Sequence, residues 1–198
     1  MEYFTNDYEK AAYQERCAFK NLISLYDAFP GYEYKVNPAS GKEVYDVLIY
    51  KLEDGKMTNR IFIEIKIRDC IREDYMLETK KYNSIIKLCK EELYLNDNEY
   101  KIFYLNFTPI GTYLFNCNIV KDIPITYLEC NKSTCNSRYD KVNKSKWDLP
   151  LNKAIRKYDY IFDQNNTSKY YNSYIIEKVE QKIKKVGLNA FFDNLNKL

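Results

Sequence analysis

With 198 residues, 45% of them hydrophobic and 30% charged, the chain is long enough for one domain with a real core and too apolar to be disordered. It contains no histidine, which excludes imidazole-dependent serine and cysteine triads, His-ligated zinc and nucleases with a histidine base. The formal net charge of +3 does not demand a polyanionic partner but permits one where positive charge is local.

A helix is predicted over residues 6–29, because Tyr8, Ala11, Ala12, Ala18, Leu22, Ile23 and Tyr26 recur near one face. Pro30-Gly31 ends it. Glu15 falls seven residues from both Tyr8 and Leu22, inside the apolar stripe, where a carboxylate is costly unless something pairs with it. Glu9 lies nearer the edge of that stripe. A short strand follows over 32–36, then a turn at Pro38-Ala39-Ser40-Gly41.

Two stronger strands come next, over 44–50 and 61–67. The second reads Ile61-Phe62-Ile63-Glu64-Ile65-Lys66-Ile67, with one face all isoleucine and the other carrying Phe62, Glu64, Lys66 and then Arg68. Asp54-Gly55 between the strands is a strong hairpin signal. Register decides whether the acids meet. A three-residue loop over 54–56, or any arrangement of the same parity, sets Asp46 opposite Glu64; a two-residue Asp54-Gly55 loop sets Asp46 opposite Ile63. The first arrangement is the expectation.

A second helix is expected over 73–93, on a stripe of Tyr75, Tyr82, Ile85, Ile86, Cys89 and Leu93. Glu78 shares the face of Tyr82, and Lys80, Lys81 and Lys87 face elsewhere. Strands over 100–107 and 112–117 flank Pro109-Ile110-Gly111. Residues 131–146 are polar and basic, with Lys132, Arg138, Lys141, Lys144 and Lys146, and read as a long loop. Helices are expected over 151–162, with Trp147 as their anchor, and over 170–185. The order predicts an α/β sandwich, a central mixed sheet flanked by helices. One domain spans 1–198, with a core over about 6–117 and a helical C-terminal extension over 118–198.

The six cysteines are scattered and follow a polar, acidic opening rather than a signal peptide, which points to a reduced, cytoplasmic setting with thiols packed as small hydrophobes. No apolar run approaches the ~20 residues that span a bilayer.

Asp46 and Glu64, side by side on neighbouring strands with β-carbons ~5 Å apart, repel each other, and a divalent cation relieves that repulsion. Magnesium takes oxygen donors, keeps several waters and commonly uses one or two carboxylates plus substrate phosphate oxygens. The carbonyl of Ile65 lies between Glu64 and Lys66 and is a candidate third ligand. Lys66 points to the same face as Glu64, where its ammonium is suited to orienting a water or neutralising transition-state charge. Glu15 is suited to completing the metal shell or holding a water. An isolated Glu-x-Lys is usually only the solvated face of a hairpin. Here Asp46 sits in a strand where Asp is disfavoured, and Glu15 and Glu78 each lie on the apolar side of a helix.

These residues in this order resemble the PD-(D/E)xK nuclease superfamily, the restriction-endonuclease-like fold. Its core is a helix, three antiparallel strands, a helix and a further strand. The acid of its second strand matches Asp46, its (D/E)-x-K matches Glu64-Ile65-Lys66, and its first-helix glutamate matches Glu15. Glu78-Thr79-Lys80-Lys81-Tyr82 looks like the Gln-x-x-x-Tyr motif of its exonucleases, with Glu for Gln; Tyr45 stands where the superfamily has Pro. The resemblance covers residues 9–107. It implies hydrolysis of phosphodiesters in DNA with Mg²⁺, for which Mn²⁺ substitutes. Substrate contacts are sought at Glu78, Tyr82, Lys80, Lys81 and Arg68, and along 132–146. The alternative is a non-catalytic nucleic-acid-binding or assembly protein that keeps the nuclease fold. A homodimer or larger complex through the C-terminal region is the assembly to look for.

Overall fold

A computed structural model of the chain describes residues 7–26, 31–38, 43–68, 71–133 and 136–162, with side chains for all of these except 7–10, 130–133 and 136–140. Helix α1 spans Asp7–Tyr26, and its apolar stripe buries Ala12, Ala18, Phe19 and Leu22. Strands β1 (Glu33–Val36), β2 (Val47–Glu53) and β3 (Lys56–Ile67) form an antiparallel meander. Strand β4 (Asp74–Glu78) and helix α2 (Thr79–Lys87) make the crossover to β5 (Tyr100–Thr108), which pairs parallel to β3. Strand β6 (Gly111–Asn116) returns antiparallel beside β5, and β9 (Arg156–Tyr158) pairs with β6. The six-stranded sheet is ordered β1-β2-β3-β5-β6-β9. A second sheet is ordered β4-β8-β7, where β7 is Thr126–Ser133 and β8 is Asn136–Pro150. The fold is thus mixed α/β around a central mixed sheet, and α1, β1–β3, α2 and β5 follow the core order that the resemblance implies.

Alternation on β3 builds two cores. Ile61, Ile63 and Ile65 face α1, together with Phe103, Leu105 and Phe107 of β5. Phe62 and Tyr104 face the other layer, where Ile85 of α2 and Tyr75, Leu77, Trp147 and Leu149 of the second sheet cover them. β3 is therefore covered on both faces, so a charge on it needs partners.

Several expected boundaries move. The strand expected over 44–50 starts at Val47, with Asp46 in a bend just before it. The helix expected over 73–93 divides: Asp74–Glu78 is strand, α2 follows, and Leu88–Glu92 is a π-helical turn. Tyr75 and Leu77 alternate into the core, a period-2 pattern five residues long that helical spacing masked. The loop expected over 131–146 is part of the β7–β8 hairpin. The helix expected over 151–162 is a 3₁₀ turn, Leu151–Lys153, followed by β9, because the free edge of β6 accepts a strand there. Of the helical character expected of 118–198, the described part, 118–162, keeps only two 3₁₀ segments, Cys117–Asp122 and Leu151–Lys153, and is mainly strand. The helix expected over 170–185 lies outside the described residues. Trp147 sits on β8 and meets the ring of Tyr82 edge-on at 5.4 Å, so it anchors a strand against α2 rather than a following helix.

The β2–β3 hairpin turns on two residues, Asp54 and Gly55, not three. Both have positive φ (51° and 73°), as a type I′ turn needs. Alone, that turn would set Asp46 opposite Ile63. A β-bulge intervenes: Ile49 pairs with Ile61 but Lys51 pairs with Thr58, so Asn59 and Arg60 together oppose Tyr50. Asn59 takes φ 47°, the left-handed region that Asn tolerates better than most residues. The shift restores the parity. Val47 pairs with Ile63, and Asp46 N–H donates to Ile63 O at 2.9 Å, so Asp46 comes alongside Glu64.

Candidate active site

Four elements converge at the end of the meander. Asp46 is held in place before any function is asked of it: Ile65 N–H donates to its Oδ2 at 2.5 Å, and Arg16 Nη2 lies 2.6 Å from its Oδ1. Asn37 supports the bend that carries it, with its backbone N–H on Asp46 O at 3.0 Å and its Nδ2 on Tyr45 O at 2.8 Å. Arg16 in turn donates from Nε to Asn37 O at 3.0 Å.

Glu64 is buried at 2% exposure in the middle of β3, opposite Tyr104 on β5. Two ammonium groups flank its carboxylate: Lys66 Nζ at 3.2 Å from Oε1 and Lys81 Nζ at 3.3 Å from Oε2. Its Oε1 has no hydrogen-bond partner among the described residues. Burial pushes the Glu64 carboxyl up to about 7, against the pull of Lys66 and with the push of Asp46. Glu15 comes from α1 and accepts from Lys66 Nζ at 3.0 Å; Arg16 Nη1 lies 3.7 Å from its other oxygen. Burial raises the Glu15 carboxyl as well. Lys66 is held well above the usual lysine range by Glu15, Glu64 and Asp46, which outweigh its desolvation. It is therefore a standing cation and donor, not a base.

The structure thus gathers Asp46, Glu64, Lys66 and Glu15. It also brings in Lys81, expected to face elsewhere, because α2 begins at Thr79 and its first turn lies over β3. The remaining expected substrate residues have other contacts. Glu78, the last residue of β4, pairs with Lys144 Nζ at 2.8 Å, and Tyr82 packs on Trp147. Lys80 is exposed on α2. Arg68 lies across the layers: its Nη2 donates to Met76 O at 3.0 Å and lies 2.6 Å from Tyr104 Oη.

Two residues escaped the sequence reading. Arg16 neighbours Glu15, and adjacent helical residues do not share a face, so spacing carried no signal for it. Asn106 pairs with Lys66 in the β3–β5 ladder, is fully buried, and has a side-chain nitrogen without a partner among the described residues. A buried Asn within the apolar run Tyr100–Phe107 was the available sign.

Among the described residues no three His, Cys, Asp or Glu side chains converge as a ready-made metal cage. Two carboxylates and a backbone carbonyl fit a magnesium ion, which needs no cage. Glu64 Oε1, which faces Lys66 Nζ at 3.2 Å and makes no hydrogen bond among the described residues, is consistent with such a donor set.

No protein-family model matches the chain, and none of the curated proteins does. Among solved structures it is similar to Hjc, a Holliday junction resolvase from Archaeoglobus fulgidus, an archaeal hyperthermophile. The identity is 12% and the TM-score 0.40, over 73% of this chain and 92% of that one. No helix among the described residues is long and apolar enough to cross a membrane.

Proposed function

We propose that this chain is a metal-dependent nuclease that hydrolyses phosphodiester bonds in DNA. The observation that carries the reading is the convergence of two buried carboxylates, Asp46 in the bend before β2 and Glu64 on β3, with Lys66 two residues on. Burying two neighbouring carboxylates costs free energy that a binding-only sheet has no need to incur. The PD-(D/E)xK resemblance assigns hydrolysis to the same residues.

In this reading Asp46, Glu64 and the carbonyl of Ile65 hold Mg²⁺, with Mn²⁺ able to substitute. Bound there, the ion supplies a Lewis acid and a water of lowered pKa. The chain's own groups do the rest. Lys66, kept protonated, donates to the attacking water or to a non-bridging phosphate oxygen, where negative charge grows in the transition state. Glu15 fixes the Lys66 ammonium in that position. Lys81, 3.3 Å from Glu64 Oε2, would supply a further positive charge beside the phosphate were that carboxylate engaged by the ion. Arg68 and Tyr82 support the layers around the site, and Lys80 and Glu78 flank it.

One observation favours a second reading. Arg16, Lys66 and Lys81 already neutralise Asp46, Glu15 and Glu64 within the chain, as a purely structural polar network would. A DNA-binding or assembly protein with this fold fits that arrangement.

The deciding experiment incubates the protein with linear duplex, single-stranded, circular and branched DNA in Mg²⁺, Mn²⁺ or EDTA, beside Glu64→Ala and Lys66→Ala. Metal-dependent cutting that both variants lose is the expected result. No cutting of any substrate, with DNA binding unchanged in both variants, leaves the second reading.

A further inference from the structure

Outside the site, the β7–β8 hairpin is the feature the proposed activity leaves unused. β4 pairs only with residues 146–150 of β8, so the stretch from 136 to 145 is paired by β7 alone. At ~3.3 Å per residue this two-stranded ribbon runs roughly 30 Å, close to one turn of duplex DNA. An isolated ribbon with little apolar surface is at best marginally stable, so its length needs an explanation other than core building.

Its charge is lopsided. Between Thr126 and Lys146 stand five cations, Lys132, Arg138, Lys141, Lys144 and Lys146, against two acids, Glu129 and Asp140. Lys144 and Lys146 answer Glu78 and Asp148, which leaves Lys132, Arg138 and Lys141 against the ribbon's own two acids. Lys141 is exposed near the middle of β8, and Tyr127 is 75% exposed at the base.

The base of the ribbon also lies beside the candidate site. Thr79, the first residue of α2, is hydrogen-bonded to Ser145 through its hydroxyl (3.2 Å to Ser145 O), and Glu78 takes Lys144. Two residues after Thr79, Lys81 reaches Glu64.

We propose that the β7–β8 ribbon is a DNA-gripping arm that lies along duplex DNA and holds it across the Asp46–Glu64 site. This rests on the nuclease reading for what happens at the site, but not for the grip itself. A two-stranded ribbon fits a major groove, and phosphates on either side would partner Lys132, Arg138 and Lys141.

The test uses the full chain with Lys132→Gln, Arg138→Gln and Lys141→Gln combined, and Lys141→Gln alone as the variant least able to disturb folding. Lys144 and Lys146 are kept, since they pair with Glu78 and Asp148. Duplex binding is measured in EDTA across a salt series, so no cleavage is needed. Loss of three phosphate contacts should lower the salt slope by about two to three units, and the single variant by about one. Affinity near physiological salt should fall by roughly tenfold or more in the triple variant. Mn²⁺-dependent hydrolysis of bis(4-nitrophenyl) phosphate, too small to reach the ribbon, should stay at the parent level. An unchanged affinity and slope in both variants overturns the arm. An equal loss on single-stranded DNA overturns the duplex groove as its seat. If the parent cuts neither DNA nor the small ester, the nuclease reading falls while the binding result still decides the arm.

Discussion

At Glu64, burial and charge pull in opposite directions. Its carboxyl, raised to about 7 from an ordinary value near 4.5, holds its proton longer in the folded chain than in the unfolded one. The unfolded state therefore binds fewer protons between those values, and this group lowers stability as pH rises from about 4.5 to 7. The penalty is complete above 7 and amounts to at most ~3.5 kcal/mol at ~1.4 kcal/mol per unit. Glu64→Gln should remove that slope, so metal-free melting temperatures of variant and parent should draw apart as pH climbs from 5 to 8. Parallel curves would contradict the raised carboxyl. The same proton competes with a cation, so Mg²⁺ affinity should fall about tenfold per pH unit below 7. Calorimetry in two buffers of different ionisation enthalpy would detect the released proton. Arg16 offers a second check. Removing it in Arg16→Ala leaves Asp46 with Ile65 N–H as its remaining described partner and should cost about 3 kcal/mol. Mg²⁺ should then restore more stability to this variant than it adds to the parent. Equal shifts in differential scanning fluorimetry would argue against a cation at Asp46.

Among the elements, the β2–β3 hairpin shows what sequence reading can and cannot reach. Alternation exposed both strands, and Asp54-Gly55 announced the turn. The bulge at Asn59-Arg60 left no period-2 signature, because its sign is a single left-handed residue. Asp46, Glu64, Lys66 and Glu15 were legible as charges placed where apolar residues belong. Strands β4, β7 and β8 were not: β4 is five residues beside a helix, and on β8, among the described residues, only Trp147 and Leu149, at its end, alternate into the core. Residues 151–162 were misread because Leu151, Ala154, Ile155 and Tyr158 sit at helical spacing, yet pairing with β6 outweighed that local pattern. Asn59 supplies a prediction at this scale. Asn59→Val forces a β-branched residue to positive φ and should cost ~1–2 kcal/mol, while Asn59→Gly should be nearly neutral. Chemical denaturation would check both, and equal losses would discount the bulge geometry.

Across the whole molecule, Arg68 ties the two sheets together. It leaves the end of β3, reaches the carbonyl of Met76 on β4 and meets Tyr104 Oη, which itself donates to Met76 O at 2.6 Å. The second sheet thus hangs on the first partly through one cation, and with it the base of the ribbon and the start of α2. Arg68→Met keeps the aliphatic stem and removes those donors. It should cost about 1–3 kcal/mol. The loss should be local as well: amide exchange in β4 and β8 should quicken while α1 stays protected. Uniform exchange across the chain would show that the sheets open together whatever Arg68 does.

The bulge and the two-residue turn together make chain length a constraint on this hairpin. Each insertion or deletion of one residue between Asp46 and Glu64 would roll one strand over and send its carboxylate to the opposite side of the sheet. Homologous chains that keep both acids should therefore differ in this stretch by even numbers, or trade a lost bulge for a longer turn. A reading frame that gains a single codon here would leave a folded protein with its chemistry pointing into oil.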